Sequence, residues 1–215
     1  MNNRLFSLNK ITISIGTVWL FHISAIIGSA LGFTNWFIEK TPLNLLISLL
    51  LFVIVFPINT IKKGSILLLF FTVGMIVEWI GICYGYLFGD YVYGTNFGYK
   101  IDGVPILIGT YWALLPIMTK SITDYFRNQP KYGNILLATL LMVFLDFLME
   151  QSAARFNFWE FSNNDPTFFN YICWAVIGLL FQTILHSTKI TGNKQFCLHL
   201  YLAQCAFFFS FYCFL

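Results

Sequence analysis

Two carboxylic acids lie inside a strongly hydrophobic stretch, where their types and spacing suit acid–base chemistry. Asp146 and Glu150 belong to residues 142–161, MVFLDFLMEQSAARFNFWEF, at the end of an apolar segment that opens near Tyr132. On a helix, a spacing of four puts both side chains on one face, one turn apart. Because a charged side chain in hydrocarbon is costly, we expect the pair to face a protein interior, a partner charge or a substrate.

Such a pair suits proton transfer. A carboxyl in an apolar pocket can stay protonated near neutral pH and act as a general acid. A neighbouring carboxylate can hold a water molecule and stabilise a developing positive charge. The cysteines indicate no other chemistry, because their number is odd and no two have CxxC spacing, so we predict neither a disulfide framework nor a metal site. They are Cys83, Cys173, Cys197, Cys205 and Cys213.

A third acid, Glu78, lies among small residues in the apolar segment 65–88. Gly74, Glu78, Gly81 and Gly85 follow one another at spacings of four, three and four, so they share one helix face. Gly81 and Gly85 form the small-xxx-small pattern that lets membrane helices approach closely. We expect Glu78 to face a packed interior, either as a functional acid or as a carboxyl that hydrogen-bonds across helices.

The composition places these acids in an integral membrane protein. The chain has 215 residues, of which 58% are hydrophobic and 10% charged, and its mean hydropathy is +0.75. A soluble domain is about 45–50% apolar and about 25% charged. We predict an all-α, polytopic bundle of about seven transmembrane helices, forming a single domain over residues 1–215. The candidate spans are 11–31, 43–60, 65–88, 104–124, 132–154, 168–187 and 195–214.

The basic residues indicate the orientation, because cytoplasmic loops of membrane proteins are enriched in Lys and Arg. One side of the predicted bundle carries Arg4, Lys10, Lys62, Lys63, Lys120, Arg127, Lys131, Lys189 and Lys194. The other side carries Lys40, Lys100 and Arg155. This bias predicts a cytoplasmic N-terminus and an external C-terminus. The net charge of +3 is too small and too scattered to indicate nucleic acid binding.

The same topology brings the acids to one depth. Spans three and five both run outward, from near residues 65 and 132. With a rise of about 1.5 Å per residue, Glu78 lies about 20 Å along its span, Asp146 about 21 Å and Glu150 about 27 Å. Three acids from two helices are therefore expected to converge on one pocket in the outer half of the membrane.

Other polar residues permit more than one interpretation. His22 shares a helix face with the small residues Ala25 and Ser29, so it is either hydrogen-bonded to a neighbouring helix or part of a site. Arg155, at the predicted outer mouth, either pairs with a carboxylate or extends to the interface. Tyrosines in the outer loop 89–105, GDYVYGTNFGYKIDGVP, form either an interfacial belt or a lid over the site.

Taken together, these segments resemble the membrane-bound carotenoid biosynthesis protein family, which includes bisanhydrobacterioruberin hydratase and the gamma-carotene hydratases. The resemblance runs through WLFHISAIIG in span one, EWIGICYGYLFGDYVYGTNFGYKIDGVPILIGTYW in span three and its loop, and DFLMEQSAARFNFWEF in span five. Asn170 and Trp174 match a further Asn-x-x-x-Trp pattern. The chain departs from the family at Glu150-Gln151, where Asp-Pro is expected, and at Glu160, which interrupts an expected aromatic pair.

The resemblance implies a cofactor-free and metal-free carotenoid hydratase. Its substrate is an acyclic or monocyclic carotenoid, and water adds across the terminal isopropylidene double bond after protonation to a tertiary cation. For this reaction we predict that Asp146 and Glu78 are the acid–base pair and that Glu150 positions water near the outer mouth. The implied substrate-binding residues are His22, Trp79, Tyr84, Tyr91, Tyr93, Pro105, Trp112, Arg155 and Trp159. Among them, aromatic faces such as Trp79, Tyr84 and Trp112 stabilise the cation, each by about 0.5–2 kcal/mol.

The implied surroundings follow from a lipophilic substrate. We expect a multi-pass protein of the inner (plasma) membrane, whose partners are the polyene, water, membrane lipid and other enzymes of the carotenoid pathway, but not nucleic acid. Two other functions remain open. A lycopene-cyclase-like enzyme would form the same cation and lose a proton after ring closure. A transporter or carrier for a lipophilic substrate would also contain intramembrane acids, although the chain shows no internal repeat of the kind many transporters have.

Overall fold

The computed structural model describes residues 2–125, 130–163 and 166–214, and in that part of the chain helices predominate. Of the basic residues used for orientation, Arg127 lies outside the described residues, as does the side chain of Arg4. The helices are α1 Asn2–Ala30, α2 Thr34–Ile38, α3 Thr41–Val55, α4 Ile61–Tyr84, α5 Ile106–Thr123, α6 Lys131–Ala153, α7 Phe168–Thr188 and α8 Lys194–Cys213. The short strands are β1 Tyr91–Tyr93, β2 Lys100–Ile101, β3 Val104–Pro105 and β4 Trp159–Phe161.

Within the described residues, six helices are long and apolar enough to cross a membrane, namely α1 from Asn9 onward and α4 to α8. The predicted polytopic helix bundle is therefore confirmed. The remaining predicted span, 43–60, is the 15-residue helix α3, which ends at Val55. It is shorter than predicted because Pro57 disfavours helical backbone at the preceding Phe56, whose φ and ψ are −119° and 76°. The count of about seven crossings stays a prediction.

α3 packs against both the loop that follows α4 and the start of α8. Pro42, near its start, packs beside Gly98 in the loop that follows α4, and the ring of Phe52 lies 6.4 Å from that of Phe196 at the start of α8. α1 and α8 run in the opposite direction to α3 and parallel to each other, since Trp19 bonds His199 while His22 packs on Phe207 further along both helices. The directions of these three helices agree with the predicted alternation, and the full topology stays a prediction.

The bundle has two chemically different ends. At one end, Lys62 donates to the carbonyl of Thr188 at 2.7 Å, while Lys120 pairs with Asp124 at 2.8 Å and Lys194 donates to the carbonyl of Asp124. The acids lie toward the other end, which we call the site end. This separation agrees with the charge pattern, and the cytoplasmic placement of the basic end stays a prediction.

At the site end, two antiparallel strand pairs organise the loops. β1 pairs with β4, with Tyr91 opposite Phe161 and Tyr93 opposite Trp159, so the loop after α4 is joined to the loop after α6. β2 and β3 form a hairpin whose turn residues, Asp102 and Gly103, have φ values of 46° and 86°. Asp-Gly is the favoured dipeptide for such a turn, because both positions need positive φ.

α5 lies at the centre of the bundle and contacts α3, α4, α6, α7 and α8. Gly74 allows α4 to approach it, because a Cβ there would lie 2.4 Å from the Cβ of Trp112. The predicted role of Gly85 is wrong. It caps the end of α4 in the left-handed region, with φ of 64°, and a Cβ there would meet nothing within 4 Å. The predicted inward face of Glu78 is confirmed, since its side chain is 3% exposed.

Candidate functional site

Glu78 is the most heavily hydrogen-bonded of the three acids. The hydroxyls of Tyr91 and Tyr93 donate to its Oε2 at 2.5 and 2.8 Å, and the indole Nε1 of Trp112 donates to its Oε1 at 2.7 Å. All three groups act as donors, and an ionised carboxylate is an acceptor only. Hydrogen bonds of this kind favour the charged form of a carboxyl.

The two tyrosines reach Glu78 because of the strand geometry. Tyr91 and Tyr93 are two residues apart in β1, so both point to the buried side, while Val92 between them is exposed. Burial, together with the negative charge of Glu78, raises the pKa of both phenols well above the usual tyrosine value. The phenols therefore stay protonated at neutral pH and remain available as donors.

Asp146 and Glu150 are linked by a single amide. The Nδ2 of Asn170 donates to Oδ2 of Asp146 and to Oε1 of Glu150, both at 3.1 Å, and Trp159 Nε1 donates to Oε2 of Glu150 at 2.7 Å. Asn170 lies in the first turn of α7, at the depth where α6 ends. Asp146 thus accepts one hydrogen bond, against two for Glu150 and three for Glu78.

The three acids line one small cavity of about 20 Å³. That space is about the size needed to hold one water molecule. Its remaining wall is largely aromatic, and Trp112 stacks on Trp174 with ring centroids 4.0 Å apart. In the parts of the chain that the structure describes, no group of three His, Cys, Asp or Glu side chains is placed to hold a metal ion.

A second, larger cavity of about 260 Å³ lies between α1, the segment α2–α3 and α8. It is mainly apolar. His22 lines it, with its Nδ1 2.8 Å from the carbonyl of Val18 and its ring against Phe207. Tyr111 and Met149 line both cavities, so this pair of side chains separates the large space from the acids.

The structure brings together most of the catalytic and substrate-binding residues that the sequence predicted. The small cavity is lined by Glu78, Asp146, Glu150, Tyr91, Tyr93 and Trp159, and Trp112 bonds Glu78 directly. His22 lies apart, in the large cavity. Pro105 is buried as the N-cap of α5 and lines neither cavity.

Three more of the predicted site residues, besides His22 and Pro105, lie away from the acids. Trp79 and Tyr84 pack on each other on the outer surface of α4, with exposures of 37% and 56%, because the inward face of that helix is taken by Glu78 and its glycines. Arg155 pairs with no carboxylate among the described residues, and its guanidinium lies 5.7 Å from the ring centre of Phe211. The structure therefore places none of the three against a cation formed at the acids.

Four residues at the cavities were not among the site residues predicted from the sequence. Asn170 bridges two acids, Trp174 stacks on Trp112, and Tyr111 and Met149 form the wall between the cavities. A signal existed for the first two, since Asn170 and Trp174 lie one helical turn apart and match a family pattern. No sequence pattern singles out Tyr111 or Met149, because apolar and aromatic residues are common throughout the spans.

Comparison with known proteins gives one informative match. A family model described as carotenoid biosynthesis protein matches residues 40–215. No curated protein and no solved structure matches the chain. The matched range contains all three acids and begins after α1, so the resemblance seen around His22 lies outside it.

Proposed function

The chain belongs to the carotenoid biosynthesis protein family, and from that premise we propose that it adds water to the terminal isopropylidene double bond of an acyclic or monocyclic carotenoid. The observation that carries this proposal is the convergence of Glu78, Asp146 and Glu150 on a space the size of one water molecule. Hydration of an alkene needs a proton donor, a water molecule and a negative charge near the cation, and the site contains groups suited to each task.

The hydrogen bonds favour a division of roles. Asp146 accepts the fewest hydrogen bonds, so its carboxyl is the best candidate to hold a proton and deliver it to the less substituted alkene carbon. The tertiary cation that results is stabilised by the charge of Glu78, which its three donors hold in place. This assignment differs from the sequence-based one, in which Glu78 exchanges the proton itself.

Water then completes the reaction. Glu150, fixed by Trp159 and Asn170, orients the water molecule and accepts the proton that it loses when its oxygen bonds to the cation. The alkene thus gains one hydrogen and one hydroxyl, and the proton returns to Asp146 through the carboxyl pair that Asn170 bridges. The ring of Trp174, which lines the cavity and stacks on Trp112, adds an aromatic face beside the cation. A polyene substrate lives in the bilayer, which suits a multi-pass protein of the plasma membrane.

Expression in lycopene-making and gamma-carotene-making hosts, followed by mass analysis of the pigments, tests the function. The wild-type protein should produce pigment heavier by one water, whereas an isomer of equal mass would show the cyclase reaction instead. Asp146→Asn should lower product formation by about 10²–10⁴-fold, because Asn keeps the shape and the hydrogen bond but cannot deliver a proton.

The matched control is Asp102→Asn, which removes a carboxyl from the exposed hairpin turn and should leave activity unchanged. The amount of each variant in membranes and its elution as a folded protein in detergent must equal those of the wild type. Full hydration by a folded Asp146→Asn variant would remove Asp146 from the mechanism.

A further inference from the structure

The small cavity is too small for the group that reacts. Its volume of about 20 Å³ holds one water molecule, whereas the isopropylidene group and the alkene carbon bonded to it contain four carbon atoms, and the polyene behind them is far longer. The substrate end must therefore arrive from a neighbouring space. The large cavity, at about 260 Å³, shares two lining residues, Tyr111 and Met149, with the cavity that the acids line.

A weak contact joins the two side chains of that shared wall. The wall consists of Tyr111 and Met149, whose hydroxyl and Sδ atoms lie 3.5 Å apart. A thioether is a weak acceptor, and methionine has an unbranched, flexible side chain that adapts to irregular spaces. Gln204 lines the same cavity, and its buried Oε1 has no hydrogen-bond partner among the described residues. An amide oxygen of this kind is a stronger hydrogen-bond acceptor than a thioether.

The large cavity has the surface that a polyene requires. Its walls are mostly aliphatic and aromatic, and among the described residues that line it there is no Asp or Glu and one Lys or Arg, Lys40. Two of its lining residues, Leu20 on α1 and Leu43 on α3, are 64% and 51% exposed. In a membrane-spanning bundle an exposed apolar surface faces lipid, so the cavity opens toward the bilayer between these two helices.

We propose that the large cavity between α1, α2–α3 and α8 is the binding site for the polyene chain next to the reacting end. The polyene enters from the bilayer between α1 and α3, and its end passes between Tyr111 and Met149 to reach the acids. The identity of this ligand rests on the proposed function, and the site itself rests on the cavity and its shared wall.

Bound lycopene is the probe, measured by its visible absorbance per mole of protein after purification from a lycopene-making host. All variants carry Asp146→Asn, so that turnover does not remove the ligand. Ala25→Trp fills the cavity from α1, and its control is Ile23→Trp, at a position 45% exposed on the same helix. Leu45→Trp fills it from α3, with Leu46→Trp, at a position 50% exposed, as control.

The expected result is bound lycopene in the Asp146→Asn protein and in both controls, with loss of most of it in both cavity-filling variants. Two different cavity-filling variants are used, so that the test still works if one of them fails to fold. Each variant must elute as a folded protein. Equal lycopene in filled and control variants, or phospholipid but no lycopene in the Asp146→Asn protein, would overturn the site. Bound lycopene without hydrated product from the wild type would leave this site intact and overturn the hydratase proposal.

Discussion

Replacing Glu78 with glutamine tests whether this residue acts as a charge or only as a hydrogen-bond acceptor. Trp112 Nε1 can only donate, so the carbonyl oxygen of the new amide must face it. The amide nitrogen then faces the hydroxyls of Tyr91 and Tyr93. An NH2 group has two hydrogens, and each phenol oxygen can accept one by rotating its own proton away. The substitution therefore keeps a hydrogen bond at each of the three contacts, with the two tyrosine bonds reversed in direction, and it removes the charge.

The cost to stability should be modest. A hydrogen bond to a charged group contributes about 1.5–3 kcal/mol and a neutral one about 0.5–1.5 kcal/mol, so Glu78 stands to lose roughly 1 kcal/mol at each of three bonds. Removing a buried charge offsets part of this loss in the free energy of unfolding, because the charge no longer has to be desolvated. We expect Glu78→Gln to remain folded.

The cost to activity should be large. Removing one preorganised electrostatic contact to a transition state typically costs about 10²–10³-fold in rate, or about 2.7–4 kcal/mol. Glu78 would contribute in this way only if its charge stabilises the cation. We therefore expect hydrated product to fall by about 10²–10³-fold per mole of folded protein, with the loss in the catalytic rate rather than in bound lycopene.

The assay compares Glu78→Gln with Glu160→Gln in the same polyene-making host. Glu160 lies in β4 between Trp159 and Phe161, but its side chain is exposed, so its substitution removes a nearby charge that does not face the site. Hydrated pigment is normalised to folded protein in membranes. Wild-type product from Glu78→Gln would refute the counter-charge reasoning and leave Glu78 as a structural acceptor. Equal losses in both variants would refute the assignment of the effect to this site.

Two further predictions concern folding and orientation. Gly74→Leu should destabilise the protein by about 1–3 kcal/mol or more, because its Cβ would meet Trp112 at 2.4 Å, whereas Gly16→Leu should not, since nothing lies within 4 Å of a Cβ there. Thermal unfolding in detergent measures both, and equal unfolding temperatures would contradict the packing argument. Reporter fusions after residue 96 should read external and those after residue 190 cytoplasmic, because residue 190 lies at the end of the bundle where the basic residues cluster. If both fusions read on the same side of the membrane, the predicted alternation of the helices would be contradicted.

The sequence by itself determined the class of protein and the face on which the acids lie. Both follow from local properties, namely the apolar composition of each span and the helical period that aligns Asp146 with Glu150 and Glu78 with Gly74. Alternating basic loops also predicted that the two helices run in the same direction. That shared direction, combined with the rise per residue, predicted that Glu78 and Asp146 lie at the same depth in the membrane.

The tertiary structure alone decided which side chains surround the acids. Tyr91 points inward because β1 pairs with β4, whereas Tyr84 and Trp79 remain on the outer surface of α4. The bridge from Asn170 to Asp146 and Glu150 likewise joins helices that meet only in the folded chain.

The same holds for the division of the site into two cavities. The wall formed by Tyr111 and Met149 exists because α5 and α6 pack side by side, and nothing in either segment marks these residues as neighbours. Periodicity specifies which face of a helix is buried, since it depends on residues a few positions apart. It does not specify which distant segment covers that face, because the choice depends on packing and hydrogen bonding between segments far apart in the chain.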